Sequence, residues 1–152
     1  MIILSIDPGN YKTGFAIFDF SSKNLPKHVI SGVIKAKKRP DNLKGIYTKL
    51  GEIINKFQPK EIALEASFYG KNPQSLIRLG EVRGVIFLLS SIYNIPIFEY
   101  TPQQVKNAIT GYGWSDKQSV LKMVEKIFNL RLNSTDEADA IAVGFCHFLN
   151  KK

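Results

Sequence analysis

Four acidic residues stand at positions where the backbone would bring carboxylates together. Asp7 closes a short apolar run, Ile2 to Ile6, and opens the turn Asp7-Pro8-Gly9, while Glu65 closes a second run, Ile62 to Leu64. Asp136 and Asp139 lie three apart at the start of a helix that should reach Leu149, so both project from one face and Glu137 points elsewhere. Taken singly, each has an ordinary explanation: an Asp beside Pro and Gly is turn chemistry, and acids opening a helix favour its dipole. Glu65 resists that treatment, because a carboxylate ending a buried strand needs a partner or a cation. Taken together, the four would repel one another and raise their own pKa values unless neutralised, and a hard divalent ion with oxygen ligands is the natural occupant. Magnesium is the first choice, with Mn2+ as a substitute. Two ions roughly 4 Å apart would activate a water for in-line attack on a phosphodiester and stabilise the departing oxygen. Asp7 is the best candidate to bridge them.

The elements that must position these acids follow from patterning. Ile2 to Ile6 and Thr13 to Phe20 read as a hairpin, and His28 to Lys35 as a third strand that runs into the basic stretch Lys35, Lys37, Lys38, Arg39 before the helix-start signal Pro40-Asp41. Leu43, Ile46, Tyr47, Leu50, Ile53, Ile54 and Phe57 recur at spacings of three and four, which predicts a helix burying all seven on one face and ended by Pro59. Gln74 to Tyr93 reads as a long helix in which Gly80 and Gly84 allow another backbone to approach closely. Ile95 to Tyr100 reads as a strand, followed by helices over Gln103 to Thr110 and Asp116 to Leu130 with the turn Gly111-Tyr112-Gly113-Trp114 between them. A meander followed by alternating strands and helices implies an α/β fold: a five-stranded mixed sheet with helices on both faces and a parallel portion. Strands ending in carboxylates would then present them at one sheet edge.

The bulk properties are compatible with this. With 152 residues, 44% hydrophobic, the chain suits one domain spanning 1–152. Its formal charge of +8 favours a polyanionic partner, of which nucleic acid is the commonest, although a lysine-coated solvated surface would give the same total. Cys146 is the single cysteine, so an intrachain disulfide and a cysteine-based zinc site are both excluded and a reducing, cytoplasmic setting is the simplest expectation. The N-terminal apolar stretch is too short for a signal peptide, and no stretch is long enough to span a bilayer. Cys146 and His147 read as core or helix-end residues, not as a metal pair.

Several motifs in order carry a resemblance: Asp7-Pro8-Gly9 with Thr13-Gly14, Ala63-Leu64-Glu65, Gly70-Lys71-Asn72, Leu79-Gly80-Glu81-Val82-Arg83-Gly84, Gln104-Val105-Lys106 and Asp136-Glu137-Ala138-Asp139-Ala140. Nearly the whole chain resembles the bacterial RuvC Holliday-junction resolvases. That resemblance implies a ribonuclease-H-like fold, a homodimer, four-way junction DNA as substrate and paired symmetric nicks, with a branch-migration complex of the RuvA and RuvB type as a possible partner. It also implies two Mg2+ ions per active site. Asp7, Glu65, Asp136 and Asp139 match the family's catalytic acids and metal ligands, with the position of Asp136 varying between Asp and His. Lys106 and Lys117 match basic residues near the scissile phosphate, Lys117 with a catalytic part, and point charges there suit phosphate and transition-state charge. Phe68 matches an aromatic that stacks at the opened junction, with Tyr69 as a competitor, and Asn72 and Arg83 fall among the DNA contacts. The helix from Gln74 to Tyr93 resembles the dimer-forming element, although an intramolecular contact would explain its glycines as well. A ribonuclease acting on RNA–DNA hybrids and a non-cleaving module for branched DNA both stay open at this level. A sugar-kinase-like ATPase does not, since it needs a second lobe.

Overall fold

The computed structural model describes residues 1–66 and 72–151. Ten elements alternate much as the patterning requires: β1 (Ile2–Asp7), β2 (Lys12–Asp19), β3 (Lys27–Lys35), α1 (Asp41–Phe57), β4 (Glu61–Glu65), α2 (Pro73–Tyr93), β5 (Ile97–Tyr100), α3 (Pro102–Thr110), α4 (Lys117–Phe128) and α5 (Thr135–Asn150). The strands form one sheet in the order β3-β2-β1-β4-β5. β1, β2 and β3 pair antiparallel, and β4 and β5 add to β1 in parallel, so β1 is the central strand and the place where the sheet changes sense.

Strand alternation sends successive side chains to opposite faces. Leu4, Ile6, Ile17, Ile62 and Leu64 pack under α1 and α2, whereas Ile3, Ala16, Phe18 and Ala63 pack under α3, α4 and α5. Asp7 and Glu65 share the parity of the second set. Both acids therefore belong to the α5 side of the sheet, at the edge where β1 and β4 end.

Local departures from the sequence expectations have physical causes. Tyr47, expected on the buried face of α1, is 42% exposed, because Ile46, Leu50, Ile53 and Ile54 already fill the contact with the sheet. β5 starts at Ile97 instead of Ile95, since Pro96 contributes only its carbonyl, which accepts the Ile62 N–H at 2.9 Å, and has no N–H for the ladder. α4 stops at Phe128 because Asn129 turns left-handed at φ 54° and its N–H closes on the Glu125 carbonyl. α2 is apolar on two sides: Leu79, Val82, Ile86 and Leu89 are buried, while Ile77, Phe87, Leu88 and Ile92 remain exposed. Among the described residues, no helix is long and apolar enough to cross a membrane.

Candidate active site

Asp7 and Glu65 meet because their strands run parallel and in register. Ile6 pairs with Leu64, so the next residue of each strand is an acid, on neighbours about 4.8 Å apart. Their side chains meet, and each shifts the ionisation of the other. Desolvation, the bond to Glu65 and the charge of Glu65 hold Asp7 well above the usual carboxylate range, against the lowering influence of Lys117. Glu65 is also raised, by desolvation first and by Asp139, while its bond to Asp7 and the charges of Lys117 and Lys106 pull it down. Arg83 braces this corner from α2: its guanidinium donates to the Glu65 carbonyl at 3.0 Å and to the Glu99 carboxylate at 2.9 Å.

The other two acids arrive on α5. Ser134 caps the helix, taking the N–H groups of Asp136 and Glu137, and the first turn lies across β2 at Gly14. A Cβ on Gly14 would fall 2.1 Å from the Asp136 carbonyl oxygen, so only glycine permits this approach. Gly14 is the residue paired with Asp7, and the close approach thus delivers Asp136 beside Asp7. Ser5 pins the next turn by donating to the Ala140 carbonyl at 2.7 Å. Glu137 is turned away, as expected, and accepts from Ser31 on β3, which also meets His28. Burial raises the Asp139 carboxyl to about 7, with the charges of Asp7 and Asp136 adding and Lys117 subtracting.

All four acids line one cavity of about 250 Å3, together with Lys12, Lys106 and Lys117. Lys106 comes from α3, which starts directly after β5 on a capping box of Thr101 and Gln104. Lys117 opens α4 and places its Nζ 3.7 Å from Asp139. Burial lowers the Lys117 pKa, but Asp139, Asp7, Asp136 and Glu65 outweigh it, so the ammonium is held above its ordinary value. Among the described residues, no group of three or more His, Cys, Asp or Glu side chains is drawn close enough to hold a metal ion. The donor set nevertheless fits a hard cation: oxygen ligands only, with Asp7, Glu65 and Asp139 raised first by burial and then by the charge of neighbouring acids.

The remaining site expectations divide. Phe68 and Tyr69 lie outside the described residues. Asn72 does not join the acids; its side chain caps α2 by accepting the Ser75 N–H at 2.8 Å. Arg83, expected among the DNA contacts, has a side chain only 13% exposed and turns inward onto β4 and Glu99. Lys12 was missed in the sequence, where the first residue of a strand carries no chemical signal beyond its nearness to the Asp7 turn. Cys146 and His147 are buried, as expected, but His147 is not isolated: it bridges the Tyr100 hydroxyl and the Glu61 carboxylate, which also receives Lys151.

A mixed five-stranded sheet whose central strand and parallel neighbour end in paired acids, completed by acids on a helix across one face, defines a ribonuclease-H-like nuclease. A sequence profile for the crossover junction endodeoxyribonuclease RuvC matches residues 3–147. The RuvC of Hydrogenovibrio crunogenus is 44% identical over 148 residues, covering 95% of this chain and 86% of that protein. The RuvC of Pseudothermotoga lettingae is 38% identical over 152 residues, covering 97% and 93%. Thermus thermophilus RuvC superposes with a TM-score of 0.86 at 24% identity, covering 99% and 96% of the two chains, and its complex with a Holliday junction substrate superposes with a TM-score of 0.87, also at 24% identity, covering 97% and 92%. The chain belongs to the RuvC family of crossover junction endodeoxyribonucleases. Membership in this nuclease family carries dependence on a divalent metal.

Proposed function

We propose that the chain, as a single nuclease domain over 1–152, resolves four-way DNA junctions by paired symmetric nicks during recombination and repair in the cytoplasm. The observation that carries this reading is the one cavity that gathers Asp7, Glu65, Asp136 and Asp139 with Lys106 and Lys117 at the sheet edge. Asp7, Glu65, Asp136 and Asp139 would hold two Mg2+ ions. When bound, the ions supply an activated water and stabilisation of the leaving oxygen. The chain's own groups do the rest. Asp7 and Glu65, raised by burial and by neighbouring acids, would take up cations in competition with protons. Lys117, kept protonated by its acidic neighbours, stands at the rim to meet charge on the phosphoryl oxygens, and Lys106 steadies the flanking phosphate. Arg83 serves as a positioning residue that fixes the end of β4 and with it Glu65. Phe68 is the proposed stacking residue at the junction, with Tyr69 as the competing candidate, and Asn72, which caps α2, is a further proposed DNA contact.

Paired nicking needs two such sites. α2 supports a homodimer: Ile77, Phe87, Leu88 and Ile92 are exposed, and nothing among the described residues approaches a Cβ built on Gly80 or Gly84. The intramolecular explanation for those glycines therefore has no contact to support it. The solved complex of Thermus thermophilus RuvC with a Holliday junction is consistent with junction DNA as the ligand, and a RuvA and RuvB type branch-migration complex is the partner that would present it.

The deciding experiment compares Asp7→Asn with the parent protein on a synthetic four-way junction, a linear duplex and an RNA–DNA hybrid in magnesium. Junction-selective paired nicks, lost in the variant while junction binding persists, are the expected result. Preferential cleavage of the hybrid would replace this reading with a ribonuclease, and unchanged cleavage by the variant would remove the metal site from it.

A further inference from the structure

The basic stretch at the end of β3 takes no part in the catalytic cavity. Lys37, Lys38 and Arg39 line a separate groove of about 730 Å3 with Asn10, Tyr11 and Arg78. Three segments meet there and are tied together. The Ala36 N–H donates to the Tyr11 carbonyl at 2.8 Å, Asn10 Nδ2 donates to the Ser75 carbonyl at 3.3 Å, and Arg39 grips Glu81 through two bonds of 2.9 and 2.6 Å. The Arg39–Glu81 pair is exposed and of small net worth, but it holds the basic loop against α2.

That leaves Lys37, Lys38 and Arg78 on one groove; among the described residues no salt bridge within 4 Å is made by these three, although Arg78 also feels the charge of Glu81, which Arg39 already pairs. With one carboxylate shared between Arg39 and Arg78, the positive charges along this concavity are in excess and suit a polyanion. The side-chain oxygens of Asn10 and Asn42, both on this groove, are buried without a hydrogen-bond partner among the described residues, so bridging waters have acceptors to hold them.

The groove begins where the catalytic cavity ends. Gly9 and Lys12 line the cavity, whereas Asn10 and Tyr11, between them, line the groove. Consecutive Cα atoms are about 3.8 Å apart and a DNA strand rises about 3.4 Å per nucleotide, so a strand lying at Asp7 reaches the groove within a few nucleotides.

We infer that this groove is a second DNA-backbone site on the same subunit, taking the phosphates of the duplex arm next to the scissile bond, with Lys37, Lys38 and Arg78 as its contacts. The inference rests on the reading of the acidic cavity as a DNA-cleaving centre. DNA is favoured over an acidic protein because the groove adjoins that cavity across the turn from Gly9 to Lys12.

Anisotropy titrations in EDTA, across a salt series, compare the parent with the triple variant K37A/K38A/R78A on four-way junctions with long and short arms. The parent should bind short arms more weakly, and the variant should bind both alike. At about 0.9 per phosphate contact, the slope of log affinity against log salt should fall by about 2.7 for each subunit engaged, about 5.4 for a dimer on one junction. The charge-keeping variant K37R/K38R/R78K should restore the parent slope, which separates lost charge from lost folding. A triple variant with the parent's slope and arm-length dependence overturns the site, whether the groove serves an acidic protein or only solvent. A parent protein that binds junctions in this way but cuts none would sink the proposed function instead and leave the groove standing.

Discussion

Lys117 Nζ lies 3.7 Å from the Asp139 carboxylate, so the first residue of α4 and the second turn of α5 meet over the ends of β1 and β4. The lysine is largely exposed, and an exposed pair adds little to stability. Its value is positional: four acids keep one protonated ammonium at the mouth of the cavity. Lys117→Ala should therefore lower kcat for junction cleavage by roughly a hundredfold, in the range of a lost transition-state donor, while changing junction affinity far less. Single-turnover rates beside binding isotherms test this. Equal losses in both would make Lys117 a simple phosphate anchor.

The Gly14 approach predicts a loss of activity without loss of any carboxylate. Gly14→Ala must push α5 away from β2, because the new Cβ would sit 2.1 Å from the Asp136 carbonyl oxygen. Overpacking of this kind costs about 1 to 3 kcal/mol, and it displaces Asp136 and Asp139 together. Urea unfolding should show that loss, and cleavage should fall further than the unfolded fraction accounts for. A variant that is destabilised but fully active per folded molecule would disconnect Gly14 from the site.

Much of this arrangement was legible because it depends on period and order. The apolar runs ending at Asp7 and Glu65 and the three-residue spacing of Asp136 and Asp139 place the acids on elements without reference to anything distant. Parallel register then sets Asp7 beside Glu65. What patterning cannot carry is direction in long side chains. Arg83 has the composition of a DNA contact, yet its fork is committed to the Glu65 carbonyl and to Glu99, partners 18 and 16 residues away. Likewise Asn72 closes the start of α2, and Tyr47 satisfies the helical period while lying beyond the area the sheet covers.

The acid cluster makes the metal-free protein sensitive to pH in a definite direction. Asp139 is raised to about 7 by burial and by neighbouring charge, and Asp7 and Glu65 are raised as well. Folded-state values above the unfolded ones mean that the folded chain binds more protons between about pH 4 and 7, so stability falls as pH rises through that window. His28 and His147, lowered by burial, act in the opposite sense, so the acids are read by difference: in EDTA, Asp139→Asn should gain Tm over the parent as pH rises from 5 to 7.5. Added Mg2+ competes with the protons, so its gain in Tm should be larger at pH 7.5 than at pH 5. A magnesium effect that is equal at both values would mean the ion binds away from these carboxylates.

The two glycines of α2 allow dimerisation to be tested against a control within the same fold. Gly45 on α1 and Gly84 on α2 both sit inside helices with no atom within 4 Å of a built Cβ. In a monomer, alanine at either position should stabilise by about 1 kcal/mol, the difference in helix propensity. If α2 packs on its counterpart in a second copy, a Cβ at Gly84 meets that backbone, whereas one at Gly45 still points into open space. Gly45→Ala should therefore raise Tm, and Gly84→Ala should leave it unchanged or lower it, with a concentration dependence that the monomer would not show. Gly84→Leu should go further and sediment as a monomer with its helical circular dichroism intact. Equal stabilisation by both alanines, with unaltered sedimentation of the leucine variant, would place any dimer contact elsewhere on the molecule.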